Sequence, residues 1–229
     1  MKKKKYKYDD IFTIYLFIIL WIYVIYINNN FKDETTVTDD TRLRAIVPTT
    51  KFLLDKGANV ILMSHFGRPK GEIIETGKNG RLTPIVKPLE ELLGTSITKV
   101  DTTVGKEAED AANKLRRGDV LLLENTRFDI GETKNDTILA EGMGKLADYF
   151  VMDAFGTAHR AHSSTAGVTQ FMKASAAGFL LDKELEYLQG AVNDPKRPMM
   201  AIVGGAKVCI FLQLSSNKRV LRAVKLVAT

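Results

Sequence analysis
The sequence predicts an α/β protein built on a doubly wound parallel sheet. Three observations carry that expectation. Val60–Met63, Val120–Leu123, Tyr149–Met152 and Met200–Val203 are continuous apolar runs, the pattern of parallel strands covered on both faces. Amphipathic stretches separate them, so strand and helix alternate. Each run also breaks off at a polar loop that holds a cation: Ser64-His65-Phe66-Gly67-Arg68-Pro69, Glu124-Asn125-Thr126-Arg127, Asp153 to Arg160, and Gly204-Gly205-Ala206-Lys207. Parallel strands end on one edge of their sheet, and ligands of open α/β sheets bind in the crevice there. Four strands that each deliver a cation to that edge would build a basic pocket for a small anion. The first loop offers two possible cations, His65 and Arg68.

The first 31 residues differ in kind from the rest. Lys2–Lys5 lead into Ile11–Ile27, 17 residues without a charge. That is the short limit for a membrane-crossing helix; the lysines would favour a cytoplasmic N-terminus, and Trp21, Tyr23 and Tyr26 suit an interface. A membrane contact through Ile11–Ile27 is therefore open, but two other readings are favoured over it. Trp21–Ile27 is rich in β-branched and aromatic residues and suits a buried strand. A stretch made almost wholly of residues with A/T-rich codons also suits translated non-coding sequence. No small-residue cleavage site follows, which argues against a secretory signal.

From Thr38 the chain becomes regular. Thr38-Asp39-Asp40 can cap a helix that runs to about Lys56 and is stopped by Gly57, with Leu43, Ile46, Val47, Leu53 and Leu54 on one face. The strand Val60–Met63 follows, then a polar loop over Gly71–Arg81. Pro88–Leu93 reads as a short helix ended by Gly94, and Val104–Arg117 as a charged amphipathic helix ended by Gly118. After Val120–Leu123, Asn135 or Asp136 caps a helix to about Ala147. Beyond Tyr149–Met152, helices are expected over Val168–Lys173 and Phe179–Val192, the second broken by Asp194-Pro195 before Met200–Val203. Past Val208 the composition shifts again: Val220, Leu221, Val224 and Val227 would line one face of a basic helix.

Composition narrows the function classes. The chain has 229 residues, 45% of them hydrophobic and 26% charged, which is a globular balance with length for a sizeable core. The net charge of +6 sits at the ends: residues 1–10 carry +3 and residues 207–229 carry +5, so the body between is −2. No basic stripe interleaved with aromatics occurs, so no nucleic-acid partner is expected. The single Cys209 rules out an internal disulfide or a cysteine metal cluster and suits a reducing compartment. No metal ligands are expected.

Seven motifs come in a recognisable order and spacing: TDDTRLRAIVPT, SHFGRPKG, LTPIVKPLEELLG, LLLENTRF, DAFGTAHRAHSS, AGFLLDKELEYLQGAV and IVGGAKV. Over Thr38–Val208 the chain resembles the N-terminal half of phosphoglycerate kinase. The resemblance implies a Rossmann-like, three-layer α/β/α substrate domain over residues 32–203. An atypical segment over 1–31 would precede it. The start of the hinge and nucleotide-domain motif, followed by an atypical tail, would occupy 204–229. It implies reversible phosphoryl transfer between the acyl phosphate of 1,3-bisphosphoglycerate and ADP, with 3-phosphoglycerate as substrate and Mg-ATP or Mg-ADP as co-substrate. The nucleophile in that reaction is already ionised, so catalysis is positioning plus charge neutralisation. Arginine suits the work because its planar fork grips phosphate and carboxylate oxygens in pairs. By the resemblance, Asn28, Arg42, Ser64, His65, Gly67, Arg68, Arg127, His159 and Arg160 would hold the substrate. Arg42 and Lys207 would be catalytic, and Gly205, Ala206 and Lys207 would contact nucleotide phosphates. His162 is expected to be structural, and Glu124 and Asp153 to orient the arginines. A cytoplasmic monomer is expected, with a plastid location as the alternative and a membrane-anchored or non-catalytic binding module as the second functional reading.

The chain departs from the family at two places. The family's opening strand ends in an Asp-x-Asn-Val-Pro turn. Counted back from Arg42 without gaps, Tyr26 stands where that Asp belongs and Asn28 where the Asn belongs. Tyr23–Ile27 is therefore expected to fill the first strand's slot beside Val60–Met63, with weaker substrate binding. A second lysine of the family, four residues past Lys207, is Phe211 here. With the second domain missing from the sequence, no measurable kinase turnover is expected of the chain as it stands.

Overall fold
The computed structural model describes residues 15–21, 37, 40–67, 69 and 80–193. In chain order the elements are β1 (Tyr15–Trp21), α1 (Thr41–Asp55), β2 (Asn59–His65), α2 (Val86–Leu93), β3 (Ile97–Lys99), α3 (Lys106–Asn113), β4 (Val120–Leu122), α4 (Thr137–Gly144), β5 (Tyr149–Met152), α5 (Phe155–Ala158), β6 (Ala174–Ala177) and α6 (Phe179–Asn193). Residues 1–184 form one compact unit and residues 185–229 a second, of which the end of α6 is described. The sheet belongs to the first unit.

Its strand order is β3-β4-β2-β1-β5-β6, and every pairing is parallel. The apolar runs explain why. Along β2, Val60 and Leu62 pack with Leu43 and Ile46 of α1 and Leu89 and Leu93 of α2. Ile61 and Met63 point the other way, among Ala108 and Ala112 of α3 and Leu139 and Met143 of α4. The period-two alternation is intact, but both faces are roofed by helices, so both sets are apolar. Each of these four β2 side chains is fully buried, a stabilisation of roughly 1.5–3 kcal/mol apiece.

Helix limits follow from local chemistry. Asp40 stands at the N-cap of α1, yet its side chain makes no cap bond; its carboxylate instead takes Arg44, at 2.6 Å to Nη2. Pro48 lies inside the helix on its exposed side, where the lost rung faces water. Gly57 ends the turn at φ +80°, and a Cβ there would meet the Arg117 guanidinium at 2.2 Å. Helix α2 begins at Val86, two residues before the expected start, because a 3-10 turn containing Pro84 leads into it. Asp136 caps α4 by accepting the Leu139 N–H at 2.9 Å.

Four expectations need correction. The slot beside β2 is filled by Tyr15–Trp21, not by Tyr23–Ile27, because the connection to α1 is longer than the ungapped count allowed. Tyr15–Trp21 is thus a sheet strand rather than part of a membrane-crossing helix. Among the described residues, no helix is long and apolar enough to cross a membrane. Helix α3 covers Lys106–Asn113, not Val104–Arg117. Asn59 pulls its end into a turn by donating to Leu115 O and accepting from Gly118 N. Val168–Lys173 is a 3-10 turn over Val168–Phe171 that runs on into β6, with Lys173 N donating to Asp148 O at 2.8 Å. The edge strands β3 and β6 were not expected at all. Met200–Val203 and the tail lie outside the described residues.

Candidate functional site
Three loops meet at the carboxyl ends of β2, β4 and β5, the rim where open α/β sheets take ligands. Ser64 and His65, the last two residues of β2, are buried, and Gly67 in the loop beyond them is exposed. After β4, Asn125 is fully buried. Its Oδ1 accepts the N–H of Phe66 at 3.2 Å and that of Arg127 at 3.0 Å. Its Nδ2 donates to Phe66 O at 2.8 Å and Gly80 O at 2.6 Å. Arg127 reaches back across the rim, its Nη1 donating to Gly67 O at 3.1 Å.

After β5 the chain enters the single turn of α5, then His159 and Arg160. Their side chains touch, with Arg160 Nε 3.5 Å from His159 Nε2. A buried π-turn over Ser163–Gly167 holds this loop from behind. Thr165 Oγ1 donates to Arg160 O at 2.6 Å, and the backbone N–H and hydroxyl of Ser164 both donate to the carboxylate of Glu132. Burial pushes the Glu132 carboxyl up, opposed by the two Ser164 bonds and by the charge of Arg127.

The electrostatics tie these loops into one site. Burial lowers the pKa of His65 to about 3, and the charges of Arg127, Arg160 and His162 act in the same direction. His162 is likewise lowered, by burial first and then by Arg127, Arg160 and His159. Two arginines from different strand ends therefore act on the same two imidazoles. Near neutral pH both rings are uncharged and offer one donor and one acceptor each. His65 is thus a neutral polar group in a positive field, not the cation the loop offered in sequence. His162 stands 3.7 Å from Glu132, which for a neutral ring is a packing contact rather than an ion pair.

Arg42 enters from the first turn of α1. It lines a cavity of about 270 Å³ together with Asp153–Gly156, Leu180 and Glu184. Asp153 is buried; its Oδ1 accepts the N–H groups of Leu180 at 2.9 Å and Leu181 at 3.3 Å, so it holds the start of α6. Glu124 is equally buried and takes Lys99 Nζ at 2.8 Å, Arg81 Nη1 at 3.3 Å and Leu82 N at 2.9 Å. Glu124 thus orients Arg81 and Lys99, and Asp153 the start of α6. Among the described residues, no group of three or more His, Cys, Asp or Glu is placed to hold a metal ion.

A family profile for phosphoglycerate kinase matches residues 24–220. The chain belongs to the phosphoglycerate kinase family. It is 55% identical over 175 residues to a phosphoglycerate kinase of Prochlorococcus marinus, covering 76% of this chain and 43% of the relative. With a chloroplastic phosphoglycerate kinase of Chlamydomonas reinhardtii the identity is 57% over 177 residues, covering 77% and 38%. A solved phosphoglycerate kinase from Coxiella burnetii superposes with a TM-score of 0.71 at 34% identity, covering 88% of this chain and 48% of that one. The chain therefore spans somewhat under half the length of the relatives it matches.

Of the residues expected to serve a phosphoglycerate kinase site, Ser64, His65, Gly67, Arg127, His159 and Arg160 lie on the three converging loops. Arg42 lies at the same edge but borders the neighbouring cavity. Asn28, Arg68, Gly205, Ala206 and Lys207 lie outside the described residues. Asn125 and Glu132 were missed. The signal for Asn125 was local: an Asn just past a strand and two residues before Arg127 is an Asx-turn pattern. Glu132 had no such signal, because its partner Ser164 is 32 residues away.

Proposed function
We propose that this chain supplies the acid-substrate side of phosphoglycerate kinase and binds 3-phosphoglycerate at the rim of β2, β4 and β5. The observation that carries the reading is that Arg127, from the loop after β4, reaches across the rim to Gly67 O in the loop after β2, with the charges of Arg127 and Arg160 both bearing on the rings of His65 and His162. Such a field recruits a small multivalent anion, and neutral His65 is left to hydrogen-bond it. In the complete reaction, ADP attacks the acyl phosphate of 1,3-bisphosphoglycerate. The bond to the carboxylate breaks, and ATP and 3-phosphoglycerate leave. Arg42 would neutralise the moving phosphoryl group from the adjoining cavity, while Ser64, Gly67, Arg68, His159 and Asn28 would line the substrate. Gly205, Ala206 and Lys207 would meet the nucleotide, and Mg-ADP would supply the acceptor phosphate. Residues 32–203 are the domain we assign to this work, as a monomer. The bacterial and chloroplastic relatives support a cytoplasmic or plastid setting.

Calorimetric titration of the purified chain with 3-phosphoglycerate tests the reading. Binding is expected, weakened about tenfold or more by Arg127→Ala and by Arg160→Ala, since each removes a charge-assisted contact worth about 1.5–3 kcal/mol. Absence of binding at millimolar ligand, or equal binding by both variants, would overturn it.

A further inference from the structure
The site's cations need a fixed frame, and one uncharged side chain supplies most of it. Asn125 uses both faces of its amide. The carbonyl oxygen takes two backbone N–H groups, Phe66 in the β2 loop and Arg127 in its own turn. The amino group gives to two backbone carbonyls, Phe66 again and Gly80. Three segments far apart in sequence are thereby set in one register, and the side chain is completely buried. The register matters because Arg127 docks on the carbonyl of Gly67, the residue after the one Asn125 grips on both its backbone groups. Fit is tight on the far side too: a Cβ at Gly80 would lie 3.2 Å from Asn125 Nδ2 and 3.3 Å from Phe128, at a φ of +115°.

We propose that Asn125 is a positioning residue of the anion site, holding the Phe66–Gly67 backbone and the Arg127 turn in the one arrangement that places Arg127 beside His65. Its consequence for ligand affinity rests on the proposed binding of 3-phosphoglycerate; its consequence for the loop backbone and the His65 ring does not. Side chains of equal or smaller size do not serve equally: Asp offers only acceptors at neutral pH and would face two carbonyls, while Ser and Ala cannot span the same four groups.

Asn125→Ala tests this with two readouts on the folded chain. In the ligand-free protein, NMR of the His65 ring between pH 7.5 and 4.5 is expected to show a neutral imidazole throughout in the parent chain. In the variant it should begin to protonate, together with loss of amide-exchange protection at Phe66. Titration with 3-phosphoglycerate is expected to show at least a tenfold loss of affinity, with Arg127 still present. A variant with a lower melting temperature but an unchanged His65 titration and dissociation constant would mean Asn125 only adds stability, and would overturn the proposal. If the parent chain does not bind 3-phosphoglycerate, the anion reading fails while the His65 readout still decides the clamp. Should Asn125→Ala not fold, Gly80→Ala presses on the same amide from the other side and is read identically.

Discussion

Two acids hold equivalent places in the sheet and do different work. Glu124 lies two residues past β4 and Asp153 one residue past β5, both at the carboxyl rim, 2% and 0% exposed. Glu124 is met by Lys99, by Arg81 and by backbone N–H groups of Leu82 and Asn125. Its cations are consumed in joining β3, β4 and the loop before α2. Asp153 is met by the N–H groups of Leu180 and Leu181 in the first turn of α6. Its Oδ1 serves the helix end, while His159 is exposed and Arg160 half-buried on the loop that follows. An acid beside a cation at a strand end therefore does not say whether the two pair. The pairing partner of each acid was settled by which backbone donors pointed at it.

Breaking the β4 side should produce the larger effect. Glu124→Ala leaves Lys99, only 10% exposed, without its buried partner, and a loss of about 3–5 kcal/mol is expected in urea denaturation. A loss under 1 kcal/mol would mean that Asp101, already 2.5 Å from Lys99 Nζ, is partner enough on its own. His65, between the two sides and influenced by an arginine from each, sharpens the comparison through pH. Its folded pKa of about 3 lies below the ordinary 6.5, so the unfolded chain binds the proton more tightly. Stability present above pH 6.5 is then lost as pH falls toward 3, by about 3 kcal/mol at pH 4. His65→Gln should flatten that part of the profile, measured by melting temperature against pH.

The β5 side should respond more gently. Asp153→Ala removes the anchor at the start of α6, for about 1 kcal/mol. Asp153→Asn keeps the accepting oxygen and should cost a few tenths of that kind of bond. Burial raises the Asp153 pKa above 3.8, so the folded state holds the proton more tightly. Its contribution to stability therefore falls as pH rises from 3.8 through the raised value. The Asn variant should lose that slope, and an unchanged slope would show that Asp153 is not its source.

Three of the four inner strands were readable from sequence; the fourth, β1, was expected at Tyr23–Ile27 rather than Tyr15–Trp21, and the two outer strands were not read at all. β2, β4 and β5 announced themselves as unbroken apolar runs because both their faces are buried. Gly57, Gly94 and Asp136 marked helix ends by chemistry that acts within a few residues. β3, Ile-Thr-Lys, and β6, Ala-Ser-Ala-Ala, carry no such pattern; as edge strands they bury one flank or little, and pairing alone defines them. In the site, Arg127, His159 and Arg160 were visible as types at strand ends. The neutrality of His65 was not, because it depends on burial and on arginines 62 and 95 residues away. The clamp made by Asn125 was hidden for the same reason: three of its four bonds go to backbone of other loops.

The strand order has a consequence for biosynthesis. Among the described strands β1 is translated before the others yet belongs in the middle of the sheet, where Ile19 pairs with Met152, 133 residues further along. At about 5–20 residues per second, that flank of an apolar strand, Tyr-Leu-Phe-Ile-Ile-Leu-Trp, waits roughly 7–27 seconds for its neighbour to be translated. During that interval β2 can dock on one side only. The nascent chain is then most exposed to capture by chaperones that grip extended apolar segments.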